Sequence, residues 1–151
     1  MQHKVVITGK LHPSAIEMFK QNSSINLDYC PDITPQEVIE KVSDAQVLIT
    51  RSETKIDKEV LDAAQNLKLI ARAAVGVGNI DVEYATDRGV LVINCPGKNT
   101  NSAAELTMGL ILGMLRRLPQ AHDKVKSGGW DRHTFTGYEL KGKKIGIVGL
   151  G

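Results

Sequence analysis

Short apolar runs alternate with segments of helical periodicity through the first two thirds of this chain. Lys4-Val-Val-Ile-Thr8, Ile25–Cys30, Val47-Leu-Ile-Thr50, Leu67–Val75 and Val90–Asn94 are brief and rich in β-branched residues, and they predict five strands. Between them, Pro13–Phe19, the segment opened by Thr34 and Pro35, Asp57–Ala64 and Asp81–Arg88 predict helices. The strands are apolar on both faces, as parallel strands covered by helices on each side must be. The pattern predicts an α/β fold, a flavodoxin-like doubly wound parallel sheet over roughly residues 1–95.

The longest helical pattern follows, from Pro96 to Gly129. Ser102 and Glu105 have capping-box spacing, which predicts a helix start at Ser102. Leu106, Leu110, Ile111, Met114, Leu115 and Leu118 recur at three- and four-residue steps and predict one buried stripe. Pro119 predicts a kink or restart, and Gly128-Gly129 an end. After a polar connector, Trp130–Leu140, the run from Lys143 to Gly151 predicts a strand entering the first two glycines of a G-x-G-x-x-G turn. That is the opening of a Rossmann unit, truncated here, and no internal repeat is present.

Composition narrows the function classes. With 19 basic and 17 acidic residues the net charge is +2, and no basic run carries interleaved aromatics, so nucleic-acid binding is not expected. The apolar run Leu106–Leu115 is about half the roughly 20 residues a bilayer span needs, so no membrane insertion is expected. Cys30 and Cys95 are too few and too far apart for a disulfide framework, which fits reduced thiols and a cytoplasmic location. No histidine has metal-ligand spacing, and no metal is expected.

In a doubly wound sheet ligands bind beyond the carboxyl ends of the strands. Gly76 and Gly78 stand there, with freedom to turn successive N–H groups into a nest for an anion. Arg51 follows one strand and Arg72 lies in its neighbour, and two guanidinium forks in one crevice suit a doubly anionic small molecule. Cys95 has no histidine placed to activate it and reads as a small buried residue before Pro96.

Arg72-Ala-Ala-Val-Gly-Val-Gly-Asn-Ile-Asp81, Ala85-Thr-Asp-Arg-Gly-Val90, Asn94-Cys-Pro-Gly-Lys-Asn-Thr100 and Ser102-Ala-Ala-Glu-Leu-Thr107 resemble the D-2-hydroxyacid dehydrogenase family. Within that family the pattern is most similar to members that oxidise 3-phospho-D-glycerate with NAD. The resemblance implies a substrate-binding domain over 1–98, then an interdomain and dimerisation helix with the first strand of an NAD-binding domain over 99–151. It implies substrate contacts at Arg51, Arg72, Val75, Gly76, Asn99 and Arg132, and cofactor contacts at Val75, Gly149 and Gly151. It further implies a homodimer or higher homo-oligomer through the 102–127 helix. No catalytic residue is expected within this chain: the family's Arg, Glu and His match no position up to Gly151, so the chain alone is expected to be inactive. Two positions depart from the family pattern R-A-G-x-G-V-D-N, with Ala74 for Gly and Gly78 for Asp. Glu53 stands where some members are basic, and Lys55 is the substitute. The alternatives are another 2-hydroxyacid dehydrogenase, such as a glyoxylate/hydroxypyruvate reductase, or a non-enzymatic NAD-sensing corepressor-like protein.

Overall fold

The structure, a computed structural model, describes residues 2–149. The chain divides into two compact units, Met1–Lys98 and Asn99–Gly151. In the first, β1 (His3–Ile7), β2 (Ile25–Tyr29), β3 (Val47–Thr50), β4 (Leu69–Arg72) and β5 (Leu91–Ile93) alternate with α1 (Pro13–Lys20), α2 (Pro35–Val42), α3 (Lys58–Ala63) and α4 (Val82–Asp87). The sheet order is β2-β1-β3-β4-β5 and every pairing is parallel, the doubly wound arrangement expected.

Strand alternation sorts the core into two layers. Val6, Leu48 and Ile70 point to one face, where they pack with Val38, Val42 and Leu61 of the helices α2 and α3. Val5, Ile7 and Ile49 point to the other and pack with Ile16 of α1. Each helix of this unit begins where a side chain can take a free N–H. Thr34 and Glu37 make a full capping box on α2, His12 accepts from the Ser14 N–H at α1, and Asp57 and Asp81 cap α3 and α4. The fourth strand is shorter than the Leu67–Val75 run, because the chain turns out of the sheet at Ala73 to form a loop.

The second unit differs more from expectation. The long helix starts at Thr100, not Ser102: the Ala103 N–H donates to the Asn99 carbonyl at 2.9 Å and closes a first turn that already contains Ser102. Asn99 is the N-cap and makes no side-chain cap bond, so the Ser102–Glu105 capping box is absent. This helix, α5 (Thr100–Leu115), ends before Arg117, which takes left-handed φ 51°; α6 (Leu118–Lys126) then begins with Pro119 in its first turn. Proline at this position would clash with the Leu115 carbonyl in a continuous helix, so the helix restarts. The predicted stripe is not buried either: Leu106, Leu110 and Met114 are 63, 64 and 72% exposed. Met108 and Leu112 add apolar surface on other sides of α5. Residues 143–149 form no strand, since a strand exists only through its ladder and none of the described strands pairs with them.

Ile70 is fully buried at the centre of the larger cluster, whereas Leu91 on the edge strand is 62% exposed. Ile70→Ala is expected to cost about 2–5 kcal/mol of unfolding free energy. Leu91→Ala should change it by about 0.5 kcal/mol or less. Urea titration followed by circular dichroism checks both.

Candidate functional site

The pairing of β3 with β4 sets Thr50 beside Arg72, so the loops starting at Arg51 and Ala73 leave the carboxyl edge of the sheet next to each other. In the second loop, three successive carbonyls are held by donors of the chain. Ala74 O accepts from the Cys95 N–H at 3.0 Å, Val75 O from Asn94 Nδ2 at 2.6 Å, and Gly76 O from Arg72 Nη1. A trans peptide sends its N–H opposite to its carbonyl. The N–H groups of Val75, Gly76 and Val77 are thereby turned away from those donors, and among the described residues neither they nor the Gly78 N–H meets an acceptor. The N–H groups are freed by these held carbonyls and not by left-handed glycines: neither Gly76 nor Gly78 has positive φ, so the expected nest geometry is not used. Ala74 fits for the same reason, with no positive φ at its position.

The two arginines are placed differently. Arg72 is 8% exposed, and its Nε donates to Asn79 Oδ1 at 2.5 Å while Nη1 holds the Gly76 carbonyl. The Arg51 side chain lies along Gly9 and reaches Lys10 O with Nη1 at 2.8 Å. Its Nε is enclosed and meets no acceptor among the described residues. Neither guanidinium has a carboxylate partner among the described residues. Two neighbouring lysines are already paired. Asp32 accepts from Lys10 and holds its ammonium above the usual lysine range. Lys55, the substitute for a basic residue at Glu53, bonds Asp57 at 3.0 Å; that contact, then the Val60 N–H, hold the Asp57 carboxyl below its ordinary value. This edge thus carries two arginines without a carboxylate partner and a row of free N–H groups, which suit a carboxylate or phosphate, while Glu53 is also without an ion pair among the described residues.

The structure brings Arg51, Arg72, Val75 and Gly76 to one edge. Asn99, Arg132 and Gly149 belong to the second unit: Asn99 caps α5, Arg132 sits in the exposed connector after α6, and Gly149 has φ 98°. Gly151 lies outside the described residues. Cys95 is exposed, not buried as expected, since β5 ends at Ile93 and its N–H faces the loop at Ala74. His3, His12, His122 and His133 are exposed, and the described residues contain no cluster able to hold a metal ion. Sequence reasoning missed Asn79 and Asn94, whose amides hold Arg72 and the Val75 carbonyl. Nothing in the periodicity marks either one; only the turn context of Gly78 and the end of a strand placed them near the edge.

The family model for the D-isomer specific 2-hydroxyacid dehydrogenase catalytic domain matches residues 5–144. The chain belongs to this family. It is 45% identical over 148 residues to a D-3-phosphoglycerate dehydrogenase of Methanocaldococcus jannaschii, a match that takes in 98% of the chain and 28% of the relative. The chain thus spans less than a third of the length of the curated relatives it matches. Among solved structures of the family, a glyoxylate/hydroxypyruvate reductase of Sinorhizobium meliloti, described as NADPH-dependent and in complex with NADP and malonate, matches at TM-score 0.83 and 27% identity over all of this chain and 47% of its own. An NAD-bound 3-phosphoglycerate dehydrogenase of Entamoeba histolytica matches at TM-score 0.69 and 30% identity, over 77% of this chain and 40% of its own. No helix of the described residues is long and apolar enough to cross a membrane.

Gly9 is required by the seat of Arg51. A Cβ there would lie 2.9 Å from Arg51 Cγ and 3.0 Å from its Cβ, atoms too close to the backbone to move aside cheaply. Gly9→Ala should therefore lower unfolding free energy by about 1–3 kcal/mol, read by chemical denaturation.

Proposed function

We propose that this chain supplies the substrate-binding part of an NAD-dependent D-2-hydroxyacid dehydrogenase that oxidises 3-phospho-D-glycerate to 3-phosphohydroxypyruvate, a step of serine biosynthesis in the cytoplasm. The observation that carries the reading is the row of unpaired N–H groups at Val75, Gly76 and Val77 beside two arginines without carboxylate partners. The similarity to D-3-phosphoglycerate dehydrogenases supports the choice of substrate.

In this reading Val75 and Gly76 donate their N–H groups to the substrate carboxylate, and Asn99 lines the same cleft. Arg51 and Arg72 supply positive charge for the substrate, and Arg132 reaches the active site of the neighbouring copy. With both anionic ends held, C2 has one orientation, which lowers the entropic part of the barrier. NAD, when bound, supplies the hydride acceptor for C2. Val75, Gly149 and Gly151 contribute to its site, and the left-handed φ of 98° at Gly149 suits the glycine turn of a dinucleotide site. None of the four histidines is assigned the acid/base role, so that group and its partners come from outside these 151 residues. A protein of the relatives' length is expected to reduce NAD with 3-phosphoglycerate, and the 151-residue chain is expected to give no NADH-linked turnover; activity of the chain alone would overturn the division of roles.

The second reading is a glyoxylate/hydroxypyruvate reductase, favoured by the structural match over the whole chain. Arg132→Ala separates the two, because a phosphate needs a cation that glyoxylate does not. The variant should raise KM for 3-phosphoglycerate at least about tenfold more than for glyoxylate, a difference of about 1.4 kcal/mol. Equal effects on both substrates favour the reductase.

The same reading assigns α5 and α6 to assembly with a second copy of the chain. A helix with this much apolar surface is normally covered, yet Leu106, Leu110, Leu112 and Met114 of α5, with Leu118 and Val125 of α6, are exposed in the single chain. Sedimentation velocity should show a dimer or larger homo-oligomer, and Leu110→Glu should shift it to monomer. A wild-type monomer at all concentrations would overturn this.

A further inference from the structure

Asn79 matches no expected ligand contact, yet the candidate site converges on it. Its Oδ1 accepts from Arg72 Nε at 2.5 Å, and its Nδ2 donates to Arg51 O at 2.8 Å and Thr54 O at 2.5 Å. Its own carbonyl accepts from the Ile56 N–H at 2.8 Å, next to the single parallel bridge that joins Ile56 to Ile80. The loop after β3 and the loop after β4 meet here through the Asn79 side chain and through two backbone hydrogen bonds, Ile56 N–H to Asn79 O and Asp81 N–H to Ile56 O at 2.9 Å.

The chemistry admits only an amide. Arginine only donates and backbone carbonyls only accept, so the residue between them must accept on one side and donate twice on the other. That pattern also settles which end of the Asn79 amide is oxygen. Aspartate would keep the Arg72 contact, and even add charge to it, but would face two carbonyl oxygens with no hydrogen to offer. Asn79 belongs to neither apolar cluster, and the β3–β4 register at Thr50 and Arg72 does not depend on it. Its loss is therefore felt at the loops and not in the sheet.

We infer that Asn79 is the positioning residue of this edge: its side-chain amide locks the loop from Arg51 to Asp57 against the loop from Ala73 to Asp81. Through Arg72 it thereby keeps the Gly76 carbonyl turned in and the neighbouring N–H groups turned out. Arg72 Nη2 makes no hydrogen bond within the described residues and is left to meet a ligand, while Nε and Nη1 serve the loop. The substrate part of this inference rests on the proposed dehydrogenase function; the locking of the loops does not.

The test compares wild type with Asn79→Asp and Asn79→Ala. In a protein of the relatives' length, both variants should raise KM for 3-phosphoglycerate at least about tenfold, and by more than they raise KM for NAD, to whose site Val75 of the same loop also contributes. A residue that only stabilised the fold would not produce that split. In the 151-residue chain, amide hydrogen exchange at Ile56 and Asp81 should speed up at least about tenfold in Asn79→Asp, with Val6 and Ile70 unchanged. If Asn79→Ala does not fold, the equal-sized Asn79→Asp carries both measurements. A lowered melting temperature with KM for 3-phosphoglycerate unchanged overturns the positioning role. If wild type oxidises no 2-hydroxy acid, the functional reading fails, and the exchange rates decide the locking by themselves: unchanged protection at Ile56 and Asp81 overturns it.

Discussion

Parallel pairing of β1, β3 and β4 with both faces buried is the constraint on which the rest of the first unit depends. Val6, Leu48 and Ile70 form one layer of side chains and Val5, Ile7 and Ile49 form the other, so a one-residue slip would carry each set into the layer packed for the other. Register is fixed, and with it the alignment of Thr50 with Arg72. Everything that happens at the carboxyl edge starts from that alignment, because it launches two loops side by side with one arginine at the root of each.

From there, planarity of the peptide bond does most of the shaping. Each carbonyl captured by Cys95, Asn94 or Arg72 commits the N–H on the far side of the same peptide. Binding capacity at Val75–Val77 is thus the complement of internal hydrogen bonding at Ala74–Gly76. Such a site needs no unusual backbone angle, which explains how Ala74 can stand where the family pattern has Gly, whereas nothing in the structure explains Gly78 in place of Asp. The change at Ala74 is absorbed because the geometry is held by partners and not by glycine freedom.

The second unit obeys different physics. Its main helix, α5, carries apolar residues over most of its circumference and buries none of them fully within the single chain. Packing within the unit is confined to local features: the Tyr138 N–H donates to Leu115 O at 2.9 Å, and Gly137 approaches that carbonyl so closely that a Cβ would be 2.2 Å from it. The glycine lets the connector close over the end of α5.

The sequence by itself determined the class of fold, the order of its elements and the family, because apolar runs, caps at Thr34, Asp57 and Asp81, and short motifs are local properties. It also placed Arg51, Arg72, Val75 and Gly76 at one edge, since parallel strands bring their ends together whatever the side chains do. What it did not contain was the start of α5 at Thr100, the exposure of Cys95 and of the Leu106–Leu118 stripe, and the missing strand at residues 143–149. The first two turn on where single backbone hydrogen bonds begin and end an element, and the last two on what packs against the segment, neither of which local propensity states. The roles of Asn79 and Asn94 also waited for tertiary structure. A lone amide has no period, and its meaning arises only when two loops distant in sequence supply an arginine on one side and carbonyls on the other.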